Sequence, residues 1–153
     1  MEKIKIMLSH KMSGMSDEYC YAVRDAAKKH IENNLNGIVD TNITETEIEY
    51  IENYIYPEAP ENAPNLWYLG RSIQELGKCD FVFFCNDYQF SRGGVVEYII
   101  AHLYSIPILN HVIGNMPEEI MDKERGIHIC NQGEGTWKKK IFAILGIKDF
   151  SKF

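Results

Sequence analysis

Residues 80–109 read DFVFFCNDYQFSRGGVVEYIIAHLYSIPIL, and the fold turns on how this stretch divides. Asp80 to Cys85 is an apolar and aromatic run without alternation, the pattern of a strand covered on both faces. After the polar loop NDYQFSRGG, the residues from Gly94 to Tyr104 are apolar on every side except at Glu97, which predicts a helix. Ile106 to Leu109 is again short, apolar and β-rich. Strand, helix and strand in that order call for a parallel sheet with helices laid over both faces.

Outward from this unit the pattern repeats. Lys3 to Ser9 (KIKIMLS) begins with alternation and becomes wholly apolar, as a strand does on entering a covered sheet. Past the loop HKMSGMS, Ser16 followed by Asp17 and Glu18 predicts a capped helix, and Ala22, Val23, Ala26, Ala27 and Ile31 keep its spacing to Asn34. Gly37 to Thr41 (GIVDT) predicts a second strand, and Asn65 to Gly77 another long helix. Between residues 42 and 64, Thr44 with Glu47 reads as a capping box and Ile48, Ile51 and Ile55 as one helical stripe, closed by Pro57, Pro60 and Pro64. This segment is expected to be an inserted acidic helix and loop, since no Lys or Arg falls between Lys29 and Arg71. Its aromatics, Tyr50, Tyr54 and Tyr56, together with Trp67 and Tyr68, either face the core or form a lid or subunit contact. Pro117 to Arg125 reads as helix, Gly126 to Cys130 as a fifth strand and Thr136 to Leu145 as a closing helix. The expectation is one α/β domain over residues 1–153, doubly wound in three α/β/α layers around a mainly parallel sheet of about five strands.

Composition narrows the function. A net charge of −6 and a pI near 5.4 oppose binding to a polyphosphate backbone, and only Lys138, Lys139 and Lys140 form a basic run, so nucleic acid is not an expected partner. Cys20, Cys79, Cys85 and Cys130 form no CxxC pair, which argues against a zinc site or a disulfide framework and suits a reducing cytoplasm. Lys3 and Lys5 interrupt the first apolar run, and no segment nears the roughly 20 apolar residues of a membrane span, so neither export nor anchoring is expected. His30 and His102 have no companion at metal-ligand spacing; no metal and no cofactor are assigned.

Ligands of open α/β sheets bind beyond the carboxyl ends of the strands, which directs the search to the loops after strands one and three. The first, Ser9 to Ser16, has hydroxyls and Gly14 ahead of a helix N-terminus. The second leads to Glu97, the one acid in an apolar helix, and a carboxylate there needs a partner or a task because desolvation costs several kcal/mol. Spacing leaves two readings open: a pocket carboxylate acting as nucleophile or sugar acceptor, or a Glu that caps its helix or pairs with Arg92 or Arg71. Arg92, Gly93 and Gly94 are too short a match for a phosphate loop or a dinucleotide fingerprint.

Four pieces, IMLSHKMSGMSDE (6–18), VDT (39–41), NLWYLGRSIQELGKCDFVFF (65–84) and SRGGVVEYIIAHLYSIPI (91–108), resemble the nucleoside 2-deoxyribosyltransferase-like family, most closely its small bacterial and phage members. The resemblance implies a flavodoxin-like sheet, a homo-oligomer with the site near a subunit interface, and a small nucleoside or nucleotide as partner. It also implies that Glu97 attacks the anomeric carbon of a (deoxy)ribose as the base departs, forming a glycosyl-enzyme intermediate. Ser91 matches a polar position near the sugar or its 5′-phosphate, and the loop with Ser9, His10, Met12, Ser13 and Gly14 matches the segment around the sugar. Arg71, Arg92, Gly93 and Gly94 complete the binding set. Two departures stand out: Ser72, eight residues before Asp80, replaces an aspartate of the family's enzymes, and His10 stands where many members have glycine. Ser72 and Asp87 join Glu97 as catalytic candidates. Two functions follow: an enzyme that cleaves or transfers an N-glycosidic bond, or a non-catalytic nucleotide binder, for example a phage anti-defence sponge for a cyclic ADP-ribose-like signal.

Overall fold

The computed structural model describes residues 3–12, 14–35, 48–51, 56–85 and 88–116. Three parallel strands form the sheet: β1 (Ile4–Ser9), β2 (Ile48–Ile51) and β3 (Phe81–Phe84), in the order β2-β1-β3. Ile4 pairs with Ile48 and Met7 with Ile51 on one side of β1; Ile6 pairs with Phe81 and Ser9 with Phe84 on the other. The helices are α1 (Asp17–Leu35), α2 (Asn65–Leu76), α3 (Arg92–Leu103) and the single turn α4 (Asn110–Ile113), with a 3-10 turn at Tyr88–Phe90 before α3.

Both sheet faces are covered, as the unalternating apolar strands require. Ile6, Leu8 and Phe83 pack with Val23, Ala27 and Ile31 of α1, whereas Met7, Val82 and Phe84 pack with Leu76 of α2 and with Tyr98 and Ala101 of α3. Helix α1 begins where Ser16 predicts, its Oγ accepting from the Tyr19 N–H at 3.1 Å, with Asp17 and Glu18 in the first turn. The turn that feeds it closes with a 3.0 Å bond from Met15 N to Met12 O and holds Gly14 at φ +77, a left-handed conformation suited to glycine.

The expected sheet of five strands is corrected to three among the described residues. Ile106 to Leu109 contributes only a parallel bridge, Ile108 to Val82, held by bonds of 3.0 Å from Val82 N to Pro107 O and 2.8 Å from Leu109 N to Val82 O. Pro107 has no N–H to donate, which limits how far a ladder can extend there. The acidic insert is also corrected: Ile48–Ile51 is a strand, not a helix. Ile48 reaches the α1-side core and Ile51 the opposite one, so both are buried because the strand is covered on both faces. The strand expected at Gly37 to Thr41 and the elements expected after residue 116 lie outside the described residues. No helix among the described residues is long and apolar enough to cross a membrane.

Candidate functional site

Strand β1 lies between β2 and β3, so the chain leaves it to one side and later returns on the other; the crevice at such a switch is where α/β sheets hold ligands. Alternation decides what reaches it. Ile6 and Leu8 face α1, so Ser9 shares the Met7 face and turns toward α2 and α3 at the carboxyl end of the strand.

Helix α3 supplies the carboxylate. Ser91 is its N-cap, accepting from Gly94 N at 3.2 Å, so Ser91 and not Glu97 caps this helix. Gly94 is required by close approach: a Cβ there would stand 2.5 Å from the carbonyl oxygen of Tyr88. At Gly93 a Cβ would stand 3.8 Å from Ser91 Oγ and 4.0 Å from Glu97 Oε1, so the two oxygens border one small space. Glu97 lies in the second turn and is 5% exposed.

The Glu97 carboxyl has one hydrogen bond, from Ser72 Oγ to Oε1 at 3.3 Å. Among the described residues it has no ion pair, and Oε2 has no hydrogen-bond partner. Burial pushes its pKa from 4.5 up to about 7, while the Ser9 and Ser72 hydroxyls act the other way. Ser9 Oγ is near enough to influence the carboxyl, yet the two do not meet hydrogen-bonding geometry, and Ser9 Oγ is itself buried without a partner among the described residues. The Tyr56 hydroxyl is a third such atom. Burial raises its pKa to about 12; the Ser72 hydroxyl lowers it, and the charge of Glu97 raises it. Ser9, Tyr56, Ser72 and Glu97 thus form one buried polar cluster, with three oxygens lacking partners.

Other candidates fall elsewhere. Arg71 donates to Glu58 at 2.8 Å and to Glu75 at 3.0 Å and lies over the Tyr56 ring, 5.1 Å from its centroid. It lines a groove of about 330 Å³ with Tyr50, Ile51 and Tyr56, whose wall contains neither Ser9, Ser72 nor Glu97. In that groove Arg71 and Lys78 are matched to Glu58 and Glu75. Arg92 is exposed at the first helical position. Met12 packs on the α1-side core. His10 is buried, and Arg24 Nη1 lies 3.3 Å from its Nε2. A guanidinium only donates, so that contact makes Nε2 the acceptor and assigns the proton to Nδ1, which lies 3.3 Å from the Lys11 carbonyl. Burial and the Arg24 charge lower the His10 pKa to about 4, so the neutral ring anchors the loop that follows β1. Asp87 and Ser13 lie outside the described residues.

Sequence reasoning missed Tyr56, counted only as one of several aromatics. Its signal was faint: a tyrosine ahead of the Trp67 and Tyr68 positions of α2 that it does contact, its ring 6.2 Å from Trp67 and 6.5 Å from Tyr68. Among the described residues no group of three His, Cys, Asp or Glu side chains could hold a metal ion. No family model, curated protein or solved structure matches the chain. The geometry alone defines the class: a parallel α/β domain with a buried, incompletely satisfied carboxyl at its switch point.

Proposed function

We propose that the cluster around Glu97 binds the sugar of a nucleoside or nucleotide, and that Glu97 cleaves or transfers its N-glycosidic bond. The observation that carries this reading is Glu97 Oε2, a buried carboxylate oxygen without a partner among the described residues, set beside the equally unmatched hydroxyls of Ser9 and Tyr56. Leaving such atoms unpaired costs about 1–3 kcal/mol each. A polyol offers both donors and acceptors and would recover that cost on binding. In the reaction, ionised Glu97 bonds to C1′ as the C1′–N bond breaks; the electron pair leaves with the base, which takes up a proton, and water or a second base then displaces the glutamyl ester. Ser72, bonded to Oε1, orients the carboxylate.

The resemblance to the nucleoside 2-deoxyribosyltransferase-like family supports the same reading. So does the strand order, which with Ile108 beside Val82 is compatible with a flavodoxin-like series. We propose a cytoplasmic homo-oligomer; exposed Leu66, Leu103 and Tyr104 would supply apolar contact, and light scattering would report the assembly.

A second reading, a binder without turnover, is favoured by Ser72, which offers a hydroxyl where an acid would be needed to protonate the leaving base. One experiment separates them. Incubate the protein and its Glu97→Gln variant with nucleosides, deoxynucleotides and cyclic dinucleotides, and follow free base by chromatography. Base released by the wild type alone supports the enzyme; ligand bound and recovered intact supports the binder; neither binding nor release refutes both.

A further inference from the structure

We propose that the groove beside α2 is the way in to Glu97, and that Tyr56, latched by Arg71, is the side chain that closes it. The groove, about 330 Å³, runs between Lys5, Glu49 and Ile51 of the sheet and Arg71, Glu75 and Lys78 on and just beyond α2. Of the residues in its wall, Tyr56 alone also belongs to the buried cluster of Ser9, Ser72 and Glu97. Arg71 and Ser72 are consecutive, so about 100° of one helical turn separates the residue that lines the groove from the one that holds Glu97 Oε1. Tyr56 bridges these two faces. Its ring lies under the Arg71 guanidinium, 5.1 Å from centroid to Cζ, while its hydroxyl is buried where the Ser72 hydroxyl and the charge of Glu97 act on it.

The latch lies outside the cluster. Arg71 covers the Tyr56 ring and donates to Glu58 at 2.8 Å and to Glu75 at 3.0 Å, and a turn closed by Ala59 N to Tyr56 O at 3.1 Å brings Glu58 back to α2. The Glu58 side chain is 49% exposed, and ion pairs open to water hold weakly. The hydroxyl opposes closure: inside it makes no hydrogen bond among the described residues, and outward rotation returns it to water. Opening exchanges ring contacts and a weak ion pair for a hydrated hydroxyl, and it joins the groove to Ser72 and Glu97. Pockets for small molecules start at about 300 Å³, so the groove is large enough to admit one. This path does not depend on which ligand Glu97 takes, and it supplies the access that the sugar reading requires.

The test is chemical access. A water-soluble carbodiimide with glycinamide couples to reachable carboxyls, and peptide mass spectrometry compares Glu97 with Glu18, which is exposed on α1. In the wild type Glu97 should couple far more slowly than Glu18. Glu58→Gln releases the latch and should speed coupling at Glu97 by about two- to fivefold, the weight of one exposed ion pair. Labelling of the Cys20 thiol, buried under α1, should stay constant and so separate opening from unfolding. Tyr56→Ala removes the closing ring and should speed coupling further. Glu49→Trp, a change at an exposed position of the groove wall, should slow it in each of these proteins. Coupling at Glu97 as fast as at Glu18 in the wild type, or equal in the wild type and both opened variants, would overturn the proposal. So would Cys20 labelling that rises in step with Glu97, or a Glu49→Trp change without effect, since entry would then lie elsewhere. Should Tyr56→Ala fail to fold, Glu58→Gln and Glu49→Trp carry the test. None of these readouts involves a nucleoside, so the path can fail while base release still tests the sugar reading.

Discussion

Replacing Glu97 by Gln should raise stability relative to the wild type as pH increases. Folding buries the carboxyl and lifts its pKa from 4.5 to about 7, so the folded state holds a proton that the unfolded chain gives up between those values. The folded state binds more protons there, so stability falls as pH rises from about 4.5 through about 7 and then levels off. At about 1.4 kcal/mol per pKa unit the full loss is about 3 kcal/mol, most of which falls between pH 5 and pH 8. Gln occupies nearly the same volume, accepts from Ser72 with its carbonyl and never ionises. The variant-minus-wild-type difference in unfolding free energy should therefore grow by about 2–3 kcal/mol from pH 5 to pH 8, whatever its value at pH 5. Urea titrations at both pH values measure it, with an unchanged denaturant slope as the check that both proteins unfold alike. A difference that stays flat with pH, or that shrinks, would refute the claim that Glu97 is held in a desolvating site.

The remaining predictions concern the loop, the helix start and the reaction. His10 runs opposite to Glu97: its folded pKa, about 4, lies below the usual 6.5, so its contribution is present above about 6.5 and lost as pH falls toward 4. His10→Gln removes this titration, so the variant should lose less stability than the wild type as pH falls from about 6.5 to about 4.5, seen as a variant-minus-wild-type difference in urea midpoint that rises on acidification; parallel midpoints would contradict it. Gly94→Ala should cost about 2 kcal/mol or more, because its Cβ meets the Tyr88 backbone at 2.5 Å, and a thermal melt unchanged from wild type would show that the contact relaxes freely. Ser91→Ala should cost about 1 kcal/mol through loss of the cap, and Ser91→Thr should recover most of it. If Glu97 is the nucleophile, base release should rise with pH through an apparent pKa near 7 and flatten above it, and a rate that falls over this range would assign Glu97 the role of acid instead.

Most elements could be read from pattern because burial imposes it: α1 from Ser16 and its apolar spacing, β3 from an unbroken apolar run, α2 and α3 from their lengths. Strand β2 could not. Ile48 and Ile51 lie on opposite faces of a sheet covered on both sides, and two buried residues three apart are also what a helix produces. The Thr44 and Glu47 pair then gave the wrong period a plausible start. Glu97 was legible as a lone acid among apolar neighbours, since the cost of burying charge is a local property of the residue. Ser9 on the site face follows from alternation once β1 is known, but its convergence with Ser72 and Tyr56 depends on how α2 packs, for which no short-range pattern exists. Tyr56 precedes α2 in a stretch with three prolines, where periodicity carries no information.

The backbone contact at Gly94 bears on where Glu97 stands. Since α3 starts against the Tyr88 carbonyl with no side chain between them, any residue larger than glycine at position 94 would displace the start of the helix that carries Glu97. The acid's place therefore depends on a residue three positions before it that has no side chain at all.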